Sequence, residues 1–203
     1  KISFQTKWWY NIIDHTFDRE RSGYEYFKGD RNHLYVIAQF YPRMAVYNET
    51  EGWKNTQYWG KAEFALSFGN YEVNITVPSD HVLEATGELL NRAQVYTPEM
   101  LKRYQLAENT FDKPIIIVSQ KEAINAENGF SEKKKTWKFK AENVRDFAFA
   151  TSRKFIMDAM AVKLGQKNVM AISLYPKEGN PLWEDYSTKV VAHTLKSYSS
   201  HTF

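Results

Sequence analysis

The chain has 203 residues, of which 43% are hydrophobic and 25% charged, so it holds enough apolar surface for a packed core and is not a disordered tail. A net charge of +3 spread over scattered Lys and Arg argues against a nucleic-acid footprint. The lack of cysteine excludes disulfides and thiolate metal sites, and no apolar run reaches the ~20 residues of a membrane span.

Aromatic content is high at 16%, with six Trp and thirteen Tyr, which suits pleated sheets because flat side chains pack well on them. The chain opens at Lys1 without a secretory leader, and KISFQTKWWYNII reads as an alternating first strand. HLYVIAQFY (33–41) reads as a second. KAEFALSF and YEVNITV flank Gly69-Asn70, a hairpin-type pair. In the second arm Tyr71, Val73, Ile75 and Val77 alternate with Glu72, Asn74 and Thr76, predicting one buried face, and Pro78 ends it.

Thr97, Pro98 and Glu99 form a helix start, predicting a helix over 97–109. PIIIVS (114–119) reads as a buried strand, and KEAINAENGFSEKKK as an exposed loop with Lys133, Lys134 and Lys135 on a solvated face. TWKFKAENV and RDFAFATS return to strand. After Ser152, KFIMDAMAVKLG and NVMAISLYP predict two strands turning at Gly165. The final stretch predicts a helix with Trp183, Tyr186, Val190, Val191, Leu195 and Tyr198 along one apolar arc. It closes on SSHTF at the tail of that helix with no closing element, so both ends read as cut.

The chemistry of a complete active site is missing. The five histidines, His15, His33, His81, His193 and His201, show no i, i+4 pair. His193 and His201 would stand about 12 Å apart on a helix, too far to share one metal. No nucleophile elbow, phosphate loop or dinucleotide fingerprint occurs. Asn48-Glu49-Thr50 and Asn74-Ile75-Thr76 match the glycosylation pattern at chance level.

The block AQFYPRMAVYNETEGW, followed by FALSFGNYEVNITVPSDHVLEATGELLN, resembles the N-terminal domain of the aminopeptidase N family of zinc metallopeptidases, and is most similar to a bacterial, cold-active aminopeptidase-like branch. TWKFKAENVRDFAFATSRKFI resembles the strands that close that domain. SLYPKEGNPLWEDYSTKVVAHTLKSYSSHTF resembles the approach to the catalytic domain and its first helix. The resemblance spans nearly the whole chain, in several blocks in the right order.

It implies a mainly β fold: an antiparallel, sandwich-like N-terminal domain over 1–152 and an incomplete α/β, thermolysin-like segment over 153–203. The parent would be a zinc aminopeptidase that removes N-terminal residues from peptide substrates. Zinc would belong to the parent, with no cofactor in this fragment, because the G-x-M-E-N and H-E-x-x-H segments do not occur in it.

The family's T-Q-x-E/Q motif falls on Ala38-Gln39-Phe40-Tyr41, which makes Gln39 and Tyr41 the substrate-binding candidates. Gln39 keeps the first polar position. Tyr41 stands where an amine-binding Glu or Gln is expected, and a neutral phenol binds an ammonium more weakly. The plainer reading is that both residues simply end a strand. A rival reading is a non-catalytic, aromatic-rich β-sandwich binding module for carbohydrate or protein, with Trp8, Trp9, Trp53 and Trp59 as stacking platforms. The truncated C-terminal helix is expected to bring two copies together through its apolar arc.

Overall fold

Alternation decides the longest early strand. Over Gly69–Pro78 the side chains at 71, 73, 75 and 77 turn inward and those at 72, 74 and 76 stay exposed, as period-2 patterning dictates. The computed structural model describes residues 2–18, 22–55 and 65–202. Its elements run α1 (His15–Asp18), β1 (Gly23–Phe27), β2 (Asn32–Ala38), β3 (Val46–Asn48), β4 (Gly52–Lys54), β5 (Gly69–Pro78), β6 (Val82–Ala85) and β7 (Glu88–Leu89). Then come α2 (Arg92–Val95), α3 (Pro98–Ala107), β8 (Ile115–Val118), α4 (Gln120–Glu127), β9 (Lys134–Val144), β10 (Ala148–Ser152), β11 (Ile156–Leu164), β12 (Lys167–Tyr175) and α5 (Leu182–His201), with a 3₁₀ turn at Lys177–Gly179 before α5.

The fold is mainly β, with strands outweighing helices by 39% to 26% among the described residues. Among the described residues one sheet has the order β1-β2-β10-β6, a second β5-β9-β7 and a third β12-β11-β8, with β3-β4 as a separate hairpin. Every one of these pairings is antiparallel. The main core gathers Leu83 from β6, Trp137 and Phe139 from β9, Ile117 from β8 and Met157 from β11, together with Phe147, each at most 1% exposed. Burying such a side chain contributes roughly 1.5–3 kcal/mol. β11 pairs with β8, and Phe155, Met157 and Ala159 enter the same core, so packing runs without a break across the expected boundary at 152/153.

Several expectations hold. Thr97 caps α3 by accepting from the Met100 amide at 3.2 Å. β11 and β12 form the expected hairpin, with Gly165 at φ +59°, where a β-carbon is disfavoured.

Others do not. Residues 2–13 form no strand and are mostly exposed. Alternation without a partner edge leaves the backbone groups unpaired, and the segment instead lies along β1, with the Tyr24 amide bonded to Ile13 O at 2.9 Å. Gly69-Asn70 is the start of β5, whose partner is β9, and not a hairpin turn. The preceding arm lies partly outside the described residues, at 61–64. KEAINAENGF carries all but the first residue of α4, which a capping box opens. Ser119 Oγ accepts the Glu122 amide, while Glu122 accepts the Ser119 amide at 2.8 Å. Lys133 and Lys134 are exposed as expected. Lys135 turns inward, bonds Val95 O at 3.1 Å and stands 4.8 Å over the Trp137 ring. Burial lowers the Lys135 pKa to about 8.

β6 carries one conspicuous carboxyl. Glu84 accepts from the Tyr96 hydroxyl at 3.0 Å, and burial raises its pKa to about 7. The unfolded chain releases this proton near the ordinary glutamate value of 4.5, so the folded state binds more protons between those values and stability falls as pH rises through that window. Replacing Glu84 with Gln keeps an acceptor for Tyr96 and removes the charge. Glu84→Gln is expected to stabilise the fold above pH 7 by on the order of 2 kcal/mol and to change little near pH 4. Urea unfolding at pH 5 and pH 8 checks this, and a pH-independent difference would contradict it.

Candidate functional site

β2 stops at Ala38 because the next residue turns the chain. Gln39 has φ +54°, a left-handed conformation that glutamine adopts only where its surroundings enforce it. The turn leaves Gln39 exposed, while Phe40 and Tyr41 tuck partly inward. Phe40 meets Phe149 edge to face at 5.3 Å, and its carbonyl accepts from Trp8 Nε1 at 2.7 Å. Tyr41 meets Phe40 at 5.1 Å and Tyr71 at 5.8 Å, both edge to face.

A polar knot fixes the next residues. The Tyr41 hydroxyl donates to Asp146 Oδ1 at 2.7 Å, and Arg43 Nη1 donates to the same oxygen at 2.9 Å. The Phe147 amide is its third donor, at 2.8 Å. Arg43 Nη2 also reaches Arg145 O at 2.6 Å and Ser67 O at 3.1 Å. This ties 41–43 to the β9–β10 connection more than a hundred residues later. Burial, with Asp146 adding to it, pushes the Tyr41 phenol well above its ordinary pKa, so it stays protonated at neutral pH. Its single proton points to Asp146, which leaves the oxygen's lone pairs as acceptors.

Both residues picked from the sequence thus sit at one bend, Gln39 exposed and Tyr41 anchored. Asp146 was missed. It is the carboxylate that anchors Tyr41, brought there by topology and not by spacing. The only trace of it in sequence is an acid ahead of the apolar run FAFA. Among the described residues no three His, Asp or Glu side chains converge as a metal would need, so no zinc ligand is assigned.

The tryptophans divide. Trp9, Trp53 and Trp8 are exposed, at 86%, 59% and 47%. Trp53 meets Tyr47 across the β3-β4 hairpin at 70°, which is not a coplanar platform. Trp59 lies outside the described residues. No family model matches the chain, and no curated protein or solved structure matches it either.

Proposed function

We propose that this chain is the scaffold and one cleft wall of a zinc-dependent aminopeptidase, with a sandwich-like N-terminal domain running into the start of a thermolysin-like α/β segment. The observation that carries the reading is the bend at Gln39. A polar, exposed residue is held in a strained conformation, and a hydrogen-bonded knot fixes the chain just beyond it. Such outliers concentrate where geometry serves a ligand. Gln39 presents an amide oxygen, and Tyr41 a hydroxyl oxygen whose proton is already committed to Asp146. Both are acceptors suited to the free α-ammonium of a peptide substrate. Catalysis would need zinc bound by residues of a longer protein, where it would polarise the scissile carbonyl and activate water.

The test is kinetic and uses that longer protein. Gln39→Ala removes one charge-assisted hydrogen bond at an exposed strand end. It is expected to lower kcat/KM for peptides with a free amino terminus by roughly 1.5–3 kcal/mol, with thermal stability unchanged. N-acetylated peptides should show no such difference. Unchanged kinetics would make the bend a strand end and nothing more.

The exposure of Trp8, Trp9 and Trp53 favours a second reading, a binding module that stacks sugars or protein loops on its surface. Double replacement of Trp9 and Trp53 by Ala would abolish polysaccharide retention under that reading and leave peptide kinetics untouched under the first.

A further inference from the structure

A cleft of about 390 Å³ opens between two of the sheets, within the range of small-molecule sites. One wall is the face of β2 and β10. Tyr35 pairs with Thr151 and Ile37 with Phe149, so the pleat turns these four side chains the same way. The other wall is β5, through Ile75, Val77 and Pro78. Ile12 adds an apolar cover from the N-terminal segment. Gly23 permits that cover, since a β-carbon there would stand 2.5 Å from Ile13 O.

The polar groups of the cleft select the ligand's charge. Arg153 lines it but is already matched, with Nε and Nη2 on the Asp80 carboxylate at 3.0 and 3.3 Å and Nη1 on Asn32 Oδ1 at 3.2 Å. With its charge taken up by Asp80, Arg153 offers an added anion no unpaired cation, and an added cation would meet Arg153 itself. Burial, with the Arg153 charge adding to it, lowers the His81 pKa to about 4, so its ring is neutral at pH 7.

The tautomer of His81 follows from its neighbour. Thr151 has one hydroxyl proton and donates it to Val82 O at 3.1 Å. With that proton on Val82 O, the 3.1 Å contact between Thr151 Oγ1 and His81 Nδ1 is made by an Nδ1 proton. Nε2 of His81 then carries the lone pair, and it makes no hydrogen bond among the described residues at the edge of the cleft.

We propose that this cleft binds a small uncharged ring ligand of the phenol class, its hydroxyl donating to His81 Nε2 and its ring held between the β2–β10 wall and the aliphatic wall of β5. A plain hydrocarbon of the same shape leaves Nε2 unpaired, and a carboxylate meets no free cation. The inference uses no part of the peptidase reading, and either can fail without the other.

The test titrates histidine-¹⁵N-labelled protein with p-cresol and follows the His81 ring by NMR. The expected result is a saturable upfield shift of Nε2, with Nδ1 keeping its protonated shift. Toluene and p-toluate are expected to bind at least tenfold more weakly. Val77→Trp, which fills the cleft, should abolish p-cresol binding. His81→Phe, which keeps a ring but removes the acceptor, should weaken p-cresol to the level of toluene. The absence of a saturable shift up to the solubility of p-cresol, or equal binding of toluene, overturns the proposal. So does a His81 ring that carries its proton on Nε2, which the unliganded wild-type spectrum reports even where a variant fails to fold.

Discussion

Replacing Lys154 by Met is expected to destabilise the fold by about 3–5 kcal/mol, the cost of removing one partner from a buried ion cluster. Lys154 has no exposed surface, yet its ammonium meets three carboxylates: Asp30 from the β1–β2 turn, Glu127 from the end of α4 at 3.0 Å, and Glu178 from the 3₁₀ turn at 3.0 Å. Lys177 bonds both Asp30 and Glu127, and the Phe27 ring lies 4.4 Å from the Lys154 ammonium. Four separate segments are therefore tied at one point. Without Lys154, Asp30 and Glu127 would keep Lys177 as their remaining partner, and the Glu127 carboxylate is only 4% exposed. The Tm should fall by on the order of 10 °C for a protein of this size. Lys133→Met, on an exposed lysine, should stay within about 0.5 kcal/mol.

The acid limb follows from Asp30. Its burial would raise the pKa, but hydrogen bonds from Lys154 and Lys177 outweigh that and hold it below the ordinary carboxylate value. A depressed carboxylate gives stability that is present above its unfolded pKa and lost as pH falls through the folded one. The cluster should thus loosen only in strong acid, and Lys154→Met should flatten that limb. An equally steep acid transition in the variant would contradict this account.

The second large effect is association through α5. The helix docks on β11 and β12 by its small and polar side. Thr188 donates to Asp158, Tyr175 donates to the other Asp158 oxygen at 2.6 Å, and Ala192 is buried against Met160 and Val162. Leu195 packs there too, in part. Tyr186, Val190 and Tyr198 point away and are 57–66% exposed, Leu182 beside them is 63% exposed, and Trp183 is 48% exposed with its ring 6.2 Å from that of the buried Tyr175. A contiguous apolar patch of several hundred Å² is unusual on a soluble monomer. Sedimentation of this chain is expected to show concentration-dependent dimers. Changing Trp183, Tyr186 and Val190 together to Ser should raise the dissociation constant at least about tenfold, a loss of ~1.4 kcal/mol. A monomer at high concentration that binds no hydrophobic dye would show that the arc does not bring copies together.

The legible parts of the chain are those in which local chemistry and global packing agree. β5 was readable because one face is buried and the other wet, and α3 because Thr97 and Pro98 punctuate its start. The β11-β12 hairpin was readable because Gly165 suits the turn. α4 was hidden by its polar composition, although Ser119 and Glu122 held the capping signal. The N-terminal stretch misled because alternation says nothing about whether an edge is free to accept a strand. The apolar arc of α5 was seen only in part, because Leu195 belongs to the docked side, where Thr188 bonds the buried Asp158 and Ala192 packs on Met160 and Val162. The candidate site was half legible. Gln39 and Tyr41 could be named from a motif, whereas Asp146 enters only through a pairing between distant strands.

The order β1-β2-β10-β6 has a kinetic consequence. β10 fills the slot between β2 and β6, yet it is made more than sixty residues after β6 and more than a hundred after β2. β9 does the same between β5 and β7. Chain closure over such separations slows folding, because the entropy of long loops is lost before the strand contacts form. During synthesis β2 and β6 must wait with open edges, and open edges recruit other chains. Refolding yield should therefore drop steeply with protein concentration, and polypeptides ending before Ala148 should accumulate as aggregates.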